Sequence, residues 1–165
     1  MLLLSSSCSK SAAISNDIEF FELTFKKSAG IQHRIDTSKS ELQVWHSDHP
    51  GGLIVVTRDD LAGQNIDYRK SIPQVFAEQA KSIESGLEGE KFLGPAAYFK
   101  SKTLEHYGGS WRLPGGKMYS LTYTWVEGAV FRIYCQFPSA KGASTVDQKG
   151  RKALQDTFGS IEKKT

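Results

Sequence analysis

The sequence predicts an α+β domain in which two amphipathic helices pack on a mainly antiparallel sheet. Short segments with alternating apolar and polar residues recur along the chain, and two segments carry apolar residues at helical spacing. Strands, a helix, more strands and a final helix follow one another, an order typical of α+β folds. With 165 residues the chain is long enough for one domain with a substantial core. We therefore assign residues 1–16 to a leader and tether and residues 17–165 to a single domain.

Four strands are predicted before the first helix. DIEFFELTFKK, from residue 17, has apolar residues at nearly every second position and predicts the first strand. GIQHRID and ELQVWHS both alternate, and the turn-forming TSKS between them predicts a hairpin. GLIVVTR is a short, continuous apolar run, which is typical of a strand covered on both faces.

Two helices are predicted, one in the middle of the chain and one near its end. Ser71 can cap the first helix, and Pro73 suits its first turn. Its apolar stripe consists of Ile72, Val75, Phe76, Ala80, Ile83 and Leu87. Ser144 and Asp147 resemble a capping box at the start of the last helix. The stripe of that helix consists of Val146, Ala153, Leu154, Phe158 and Ile161.

The segment between the helices holds the clearest strand pattern. AYFKSKTLEH predicts one strand, and GGSWRLPGG predicts a mobile loop with Trp111 and Arg112 as contact residues. KMYSLTYTW and VFRIYCQFP then predict a hairpin with a tight turn at Gly128, because glycine reaches the positive φ that such turns need. The pairs predicted across this hairpin are Val126 with Ala129, Thr124 with Phe131, Thr122 with Ile133 and Ser120 with Cys135.

The two faces of this hairpin differ in composition. The face with Cys135 is apolar and is expected to be core, so that Cys135 should be a buried, inert thiol. The other face carries aromatic and basic side chains around Leu121: Tyr119, Tyr123, Trp125, Arg132 and Tyr134. Such side chains recur as binding anchors, so we predict a binding face here. The alternative is that a helix covers this face and that the hydroxyl groups find internal partners.

The chain begins with MLLLSSSCSK, a segment that bears on where in the cell the protein is located. Leucines followed by three serines and Cys8 resemble the lipobox of bacterial lipoproteins, a family in which the cysteine is acylated and becomes the first mature residue. The segment departs from that family because Leu4 lies one position too far from the cysteine and no basic residue precedes the leucines. A signal segment truncated at its start fits both departures. The alternative is a flexible tail with an incidental cysteine.

The lipoprotein resemblance implies a location. An acylated Cys8 would anchor the chain in the bacterial cell envelope, and residues 9–16 would form a polar tether between membrane and domain. Ser9 is not the aspartate that keeps such proteins from the outer membrane, so the resemblance implies the periplasmic side of the outer membrane.

The order and spacing of the predicted elements from Glu19 onward resemble the PsbP-like superfamily of accessory proteins. That superfamily has a sheet flanked by helices and a C-terminal helix close to an F-x-x-I ending. In TFGSIEKKT, Phe158 and Ile161 occupy these positions. The resemblance implies an accessory or binding role without catalysis.

Charge and hydropathy argue against two classes of partner. The net charge is +3, and the 21 basic and 18 acidic residues are interspersed, so no nucleic-acid-binding patch is expected. No apolar run approaches the roughly 20 residues that a membrane-spanning helix needs.

No motif predicts a cofactor or a catalytic site. His46 and His49 in HSDHP are expected to diverge at a strand-to-turn junction, and no further ligands complete a zinc set, so no metal is predicted. Asp59 and Asp60 are adjacent strand residues and should point to opposite faces, which disfavours an acid–base pair. The sequence has no nucleophile elbow and no phosphate-binding glycine motif.

These observations favour a lipid-anchored periplasmic accessory protein that binds another protein or an envelope component. Two alternatives stay open. A periplasmic inhibitor or immunity protein that neutralises a toxic effector has the same size, compartment and lack of catalytic motifs. The other alternative is an enzyme of unknown class, because catalytic triads can be assembled from residues distant in the chain.

Overall fold

The computed structural model describes residues 17–61, 64–86, 91–92, 95–112, 116–126, 128–137 and 145–165. In chain order its elements are β1 (Asp17–Phe20), β2 (Leu23–Lys26), β3 (Ile31–Asp36), β4 (Glu41–His46), β5 (His49–Asp60), α1 (Tyr68–Gly86), β6 (Lys91–Phe92), β7 (Ala97–Lys100), β8 (Glu105–Arg112), β9 (Met118–Val126), β10 (Ala129–Phe137), α2 (Thr145–Gly159) and β11 (Glu162–Lys163). Cys8, Leu87, Ser144 and the side chain of Val146 lie outside what is described. The predicted α+β class is confirmed.

Eight strands form one antiparallel sheet in the order β3-β4-β5-β10-β9-β8, with β6 and β7 both paired to β8. The predicted β3–β4 hairpin is confirmed. The β9–β10 hairpin has the predicted register at all four predicted pairs. Gly128 in its turn has a φ of 80°, the left-handed conformation for which glycine was expected there.

The first predicted strand is in fact two strands. Phe20 pairs with Leu23, and Phe21 between them has a φ of 51°, so β1 turns back sharply onto β2. β11 pairs with the other edge of β2, which gives a separate three-stranded sheet in the order β1-β2-β11. The single-strand prediction was wrong because the turn contains no Gly, Pro, Asn or Asp to interrupt the alternating pattern.

One face of the large sheet, which we call the α2 face, carries Phe131, Ile133 and Cys135 and is covered by α2 and the small sheet. Leu154 of α2 is fully buried in this core. The Phe20 ring of β1 lies edge-on to that of Phe131, with centroids 6.3 Å apart. Leu154 therefore faces the sheet as predicted, whereas Ala153 and Phe158 are only partly buried against this core. Ile161, assigned to the same stripe, lies beyond the end of α2 but is buried in the core.

The opposite face, which we call the α1 face, carries Tyr123, Arg132 and Tyr134 and is covered in part by α1. The helix packs on β8 and β9 through Ile72 and Phe76, which are buried as predicted. Ala80 and Ile83 are partly buried against the same core. Neither α1 nor α2 is both long enough and apolar enough to cross a membrane.

The start of α1 differs from the prediction. The helix begins at Tyr68, and Asp67, not Ser71, caps it. The Lys70 amide donates to Asp67 Oδ1 at 3.4 Å, and the Ser71 amide donates to the Asp67 carbonyl at 3.0 Å. A side-chain cap of this kind satisfies amides that the first helical turn leaves unpaired.

The glycine-rich segment around Trp111 is a strand, whereas a mobile loop was predicted. β8 pairs with β9 along its length and places Trp111 opposite Tyr119. At Gly108 a Cβ atom would lie 2.6 Å from the Leu121 carbonyl oxygen, so this glycine permits close approach of the backbones. The predicted strand before it is also two strands, β7 and the start of β8, joined by a turn in which the Ser101 amide donates to the Leu104 carbonyl.

His106 of β8 is a buried imidazole on the α2 face. Its ring stacks on Phe99 with centroids 4.8 Å apart, and its Nε2 atom lies 2.9 Å from the Ser101 hydroxyl oxygen. Its Nδ1 atom is buried and has no hydrogen-bond partner within the described part of the chain. Burial lowers the pKa of His106 to about 4, so the folded protein disfavours the charged ring.

We predict that His106 makes the fold less stable as the pH falls from 6.5 to about 4. In this window the unfolded chain binds a proton at His106 and the folded chain does not, so acid favours unfolding, by about 3 kcal/mol at most. Urea unfolding of the wild type and of His106→Gln at about pH 7 and about pH 4.5 measures this effect. The variant should lose less stability on acidification, and equal losses in the two proteins would contradict the prediction.

Candidate functional site

Helix α1 divides the predicted aromatic face of the hairpin into a covered half and an open half. Side chains of β8 and β9 lie beneath the helix, whereas β10, β5, β4 and β3 extend beyond it. Within the described part of the chain, α1 makes no extensive contact with β5, β4 or β3. The alternative in which a helix covers the aromatic face therefore holds for one half of it.

Trp111 and Tyr123 lie in the covered half, so the prediction that they are exposed contact residues is wrong. Their exposed fractions are 0% and 3%. The Phe76 ring stacks on Trp111 with centroids 5.9 Å apart and meets Tyr123 edge-on at 6.4 Å. Trp111 Nε1 donates to Glu84 Oε1 at 3.1 Å, so α1 also satisfies the polar end of the buried indole. These rings hold the helix on the sheet.

Three further predicted residues lie at the border of the covered half. Tyr119 and Trp125 are half-buried against the α1 core, and Trp125 stacks with Tyr68 at a centroid distance of 6.2 Å. The ring centroids of Tyr119 and Tyr134 are 5.5 Å apart, so the Tyr119 side chain extends towards the open half. Arg112, at the end of β8, is exposed as predicted.

Arg132 and Tyr134 lie in the open half, where they alternate along β10 with buried residues and are themselves half-buried. Together with α1 they form a long depression, which we call the α1 groove. One flank of α1 forms its wall, through Tyr68, Val75, Gln79 and Ile83. β10 and β5 form its floor, through Val130, Arg132, Tyr134, Val55, Thr57 and Asp59. Two cavities of ≈ 560 and ≈ 490 Å³ follow one another along the groove.

Arg132, on the floor of the groove, lies close to the Tyr123 hydroxyl group of the covered core, because its positive charge acts on the pKa of that hydroxyl. Burial raises the pKa of Tyr123, and the nearby Asp59 carboxylate raises it further, while Arg132 opposes both effects. The hydroxyl therefore stays neutral near pH 7.

The two adjacent carboxylates of β5, Asp59 and Asp60, border the cavity at the Tyr68 end of the groove. They were expected to point to opposite faces of the strand. Asp60 turns towards Arg58, whose Nη1 atom lies 3.4 Å from its Oδ2, and both carboxylates are exposed. The register confirms the expectation, since Asp59 lies opposite Val130 on the α1 face and Asp60 lies opposite Ala129 on the α2 face. Both carboxylates border the cavity because it lies at the end of β5.

Sequence reasoning missed the helical wall of the groove. Val75 was assigned to the apolar stripe that faces the sheet, but 45% of it is exposed. The sequence contains one indication of this exposure, which is the width of the apolar stripe. Val75 lies at its edge, on the same flank of the helix as Gln79 and away from Phe76. A valine at the edge of a helical stripe, next to a polar residue, is consistent with either core or surface, and only the position of the helix decides between them.

The HSDHP segment packs against helix α2. His46 and His49 do not diverge as predicted, since both are buried beneath Gly150: a Cβ atom there would lie 3.1 Å from His46 Nδ1 and 2.4 Å from His49 Cβ. His46 Nδ1 accepts a hydrogen bond from the Asp48 amide at 3.1 Å, and His49 Nδ1 lies 3.4 Å from Asp147 Oδ1. Among the described residues, no group of three or more His, Cys, Asp and Glu side chains could hold a metal ion.

Cys135 is a free thiol in the core of the α2 face. Burial raises the pKa of Cys135 to about 12, which keeps the sulfur protonated and unreactive. The prediction of a buried cysteine at this position is confirmed.

We predict that Tyr123 and Tyr134, which the sequence places on the same face, differ in their effect on stability. Tyr123→Ala removes a ring from beneath α1 and should lower the free energy of unfolding by about 2–5 kcal/mol. Tyr134→Ala trims the open floor of the groove and should cost less than about 1 kcal/mol. Urea unfolding followed by circular dichroism measures both values. A larger loss for Tyr134→Ala than for Tyr123→Ala would show that the covered and open halves have been interchanged.

No protein-family model matches the sequence, and no curated protein matches it. Solved structures do match its fold. The PsbP protein of Synechocystis sp. PCC 6803 (CyanoP) has a TM-score of 0.61 at 10% identity, over 97% of this chain and 99% of that chain. The Ran-binding protein Mog1p of Saccharomyces cerevisiae has a TM-score of 0.54 at 11% identity, over 88% and 93% of the two chains.

LpqN of Mycobacterium tuberculosis, which is involved in cell envelope biogenesis, has a TM-score of 0.55 at 12% identity, over 85% of this chain and 82% of that chain. At these identities the likeness is one of fold. The chain therefore has the PsbP-like α+β fold that its predicted order of elements resembled.

Proposed function

We propose that this chain is an accessory protein that docks another protein in the α1 groove and catalyses no reaction. The observation that carries the proposal is the open half of the α1 face, where a helix flank and a sheet floor leave apolar and aromatic side chains half-exposed. The solvent face of an antiparallel sheet ordinarily carries polar side chains. Here the strand register places Trp45, Val55 and Tyr134 on this face, between polar neighbours.

The shape of the groove suits a segment of a partner protein. α1 has 19 residues and is therefore about 28 Å long, which sets the length of the wall. Tyrosine, tryptophan and arginine are the residues that most often carry binding energy at interfaces. Arg132 is half-buried on the floor of the groove, next to Tyr123, and can therefore contact a segment that lies there.

The structural neighbours support this class of function. Mog1p is a Ran-binding protein, so a protein of this fold binds another protein. LpqN is involved in cell envelope biogenesis, which supports a place in the envelope for this chain. Because the sequences share so few residues, the neighbours support the kind of function and leave the partner to be found by experiment.

Site-specific photo-cross-linking tests the proposal. A photoreactive phenylalanine analogue replaces Tyr134 on the groove floor or Val75 on its wall, in the full chain expressed in its native cells. We expect both positions to form a covalent adduct with the same partner protein, because both side chains would contact a segment bound in the groove.

Phe99 and Glu78 are matched control positions. Phe99 is an exposed aromatic residue of β7, and Glu78 is exposed on α1, so the analogue is tolerated at both sites without lining the groove. These positions should not give the adduct. If all four positions gave the same adducts, or if the two groove positions gave none, the α1 groove would not be the docking site.

We further propose that the protein is held at the bacterial envelope by an acyl chain on Cys8, on the periplasmic side of the outer membrane. The likeness of the segment ending at Cys8 to a lipobox supports this anchor, and the polar residues 9–16 have the composition of a tether.

Fractionation of cells that express the native gene tests the anchor. The wild type should incorporate labelled palmitate and sediment with outer membranes, whereas Cys8→Ser should be released into the soluble fraction. Cys135→Ser is the matched control, because that thiol is buried and should not be acylated. Identical fractionation of all three proteins would exclude Cys8 as the anchor.

A further inference from the structure

The Tyr68 end of the α1 groove is an apolar pocket with an acidic rim. The cavity there measures ≈ 560 Å³, which is within the range of sites that enclose a small ligand or an inserted side chain. Its walls include five aliphatic side chains from the loop before α1, from α1 itself and from β10: Leu61, Ile66, Ile72, Val75 and Val130. An aliphatic side chain of a partner would therefore find apolar contacts on several sides.

Carboxylates outnumber cations at the rim of this pocket. Arg58 is already engaged by Glu22, at 2.9 and 2.7 Å, and by Asp60 at 3.4 Å. Lys70, in the first turn of α1, pairs with Asp67 at 3.4 Å. Asp59 is exposed and forms no ion pair with any residue that the structure describes. Its carboxylate is therefore available to a cation from outside.

The negative charge of the rim also disfavours anionic ligands. Phosphate groups of nucleic acids or anionic lipids would face Asp59 and Asp60 without an unengaged cation beside them. Arg132, the next cation along the groove, lines the neighbouring cavity and not this one. Complementary charges mainly increase association rates and select among partners, so an acidic rim selects for a basic one.

We propose that this pocket binds a partner segment in which an aliphatic side chain is flanked by lysine or arginine. The aliphatic side chain enters between Ile72, Val75 and Val130, and the flanking cation pairs with Asp59. This inference rests on the proposed docking function and adds the chemistry of the docked segment.

Selection from a library of random peptides displayed on phage tests the inference, with the purified full chain as bait. Peptides of about 20 residues are long enough to span the groove as a helix. Peptides selected by the wild type should be enriched in lysine or arginine next to an aliphatic residue. Their affinity should fall about tenfold for Asp59→Lys, which reverses the charge at the rim.

Glu78→Lys is the matched control, since it makes the same change of charge on the outward side of α1 and should leave the affinity unchanged. Equal melting temperatures of the three proteins establish that both variants are folded. Selected peptides without a basic bias, no selected peptides, or equal losses in the two variants would overturn the inference. These outcomes are separate from the cross-linking result: an adduct at Tyr134 together with unbiased peptides would retain the docking function and reject the basic–aliphatic segment.

Discussion

The rest of the structure depends on the alternation of side chains along β9 and β10, because this hairpin supplies both hydrophobic cores. Phe131 and Ile133 point to the α2 face, while Tyr123 and Val130 point to the α1 face. A shift of one residue in the register would exchange these sets and place bulky, polar-tipped rings beneath α2. The turn at Gly128, with its positive φ, fixes the register, and both helices then find the surfaces that match their stripes.

The helices cover opposite faces and different halves of the large sheet. α2 packs on β4 and β5, whereas α1 packs on β8 and β9. The small sheet completes the cover on the α2 face, through side chains such as Phe20. The α1 groove is the result of this offset, since β10 and β5 are closed on one face and open on the other. A binding surface can thus lie on one face of β10 and β5 while the other face of the same strands belongs to the main core, which keeps them rigid.

Features set by the spacing of side chains could be predicted from the sequence, and features set by the placement of whole elements could not. The hairpin register and the burial of Phe76, Leu154 and Cys135 follow from periodicity alone. Which tyrosines α1 covers depends on where the helix crosses the sheet, and periodicity contains no information on that. The mobile loop predicted around Gly108 was wrong for a related reason. A glycine that permits the close approach of two strands cannot be distinguished in sequence from a glycine in a mobile loop. The groove was therefore predicted on its β10 side and missed on its α1 side.

The small sheet brings the two ends of the folded domain together. β1 starts at Asp17 and β11 ends at Lys163, on either side of β2 but at opposite ends of it, since Asp17 pairs with Lys26 and Lys163 with Leu23, so these two residues are about 14 Å apart. Both strands belong to the small sheet, which packs on the α2 face, opposite the α1 groove. A surface, a linker or a fused protein joined at either end is therefore attached on the side of the α2 face, which α2 and the small sheet cover. The α1 groove lies on the opposite face, so an attachment at either end leaves it uncovered.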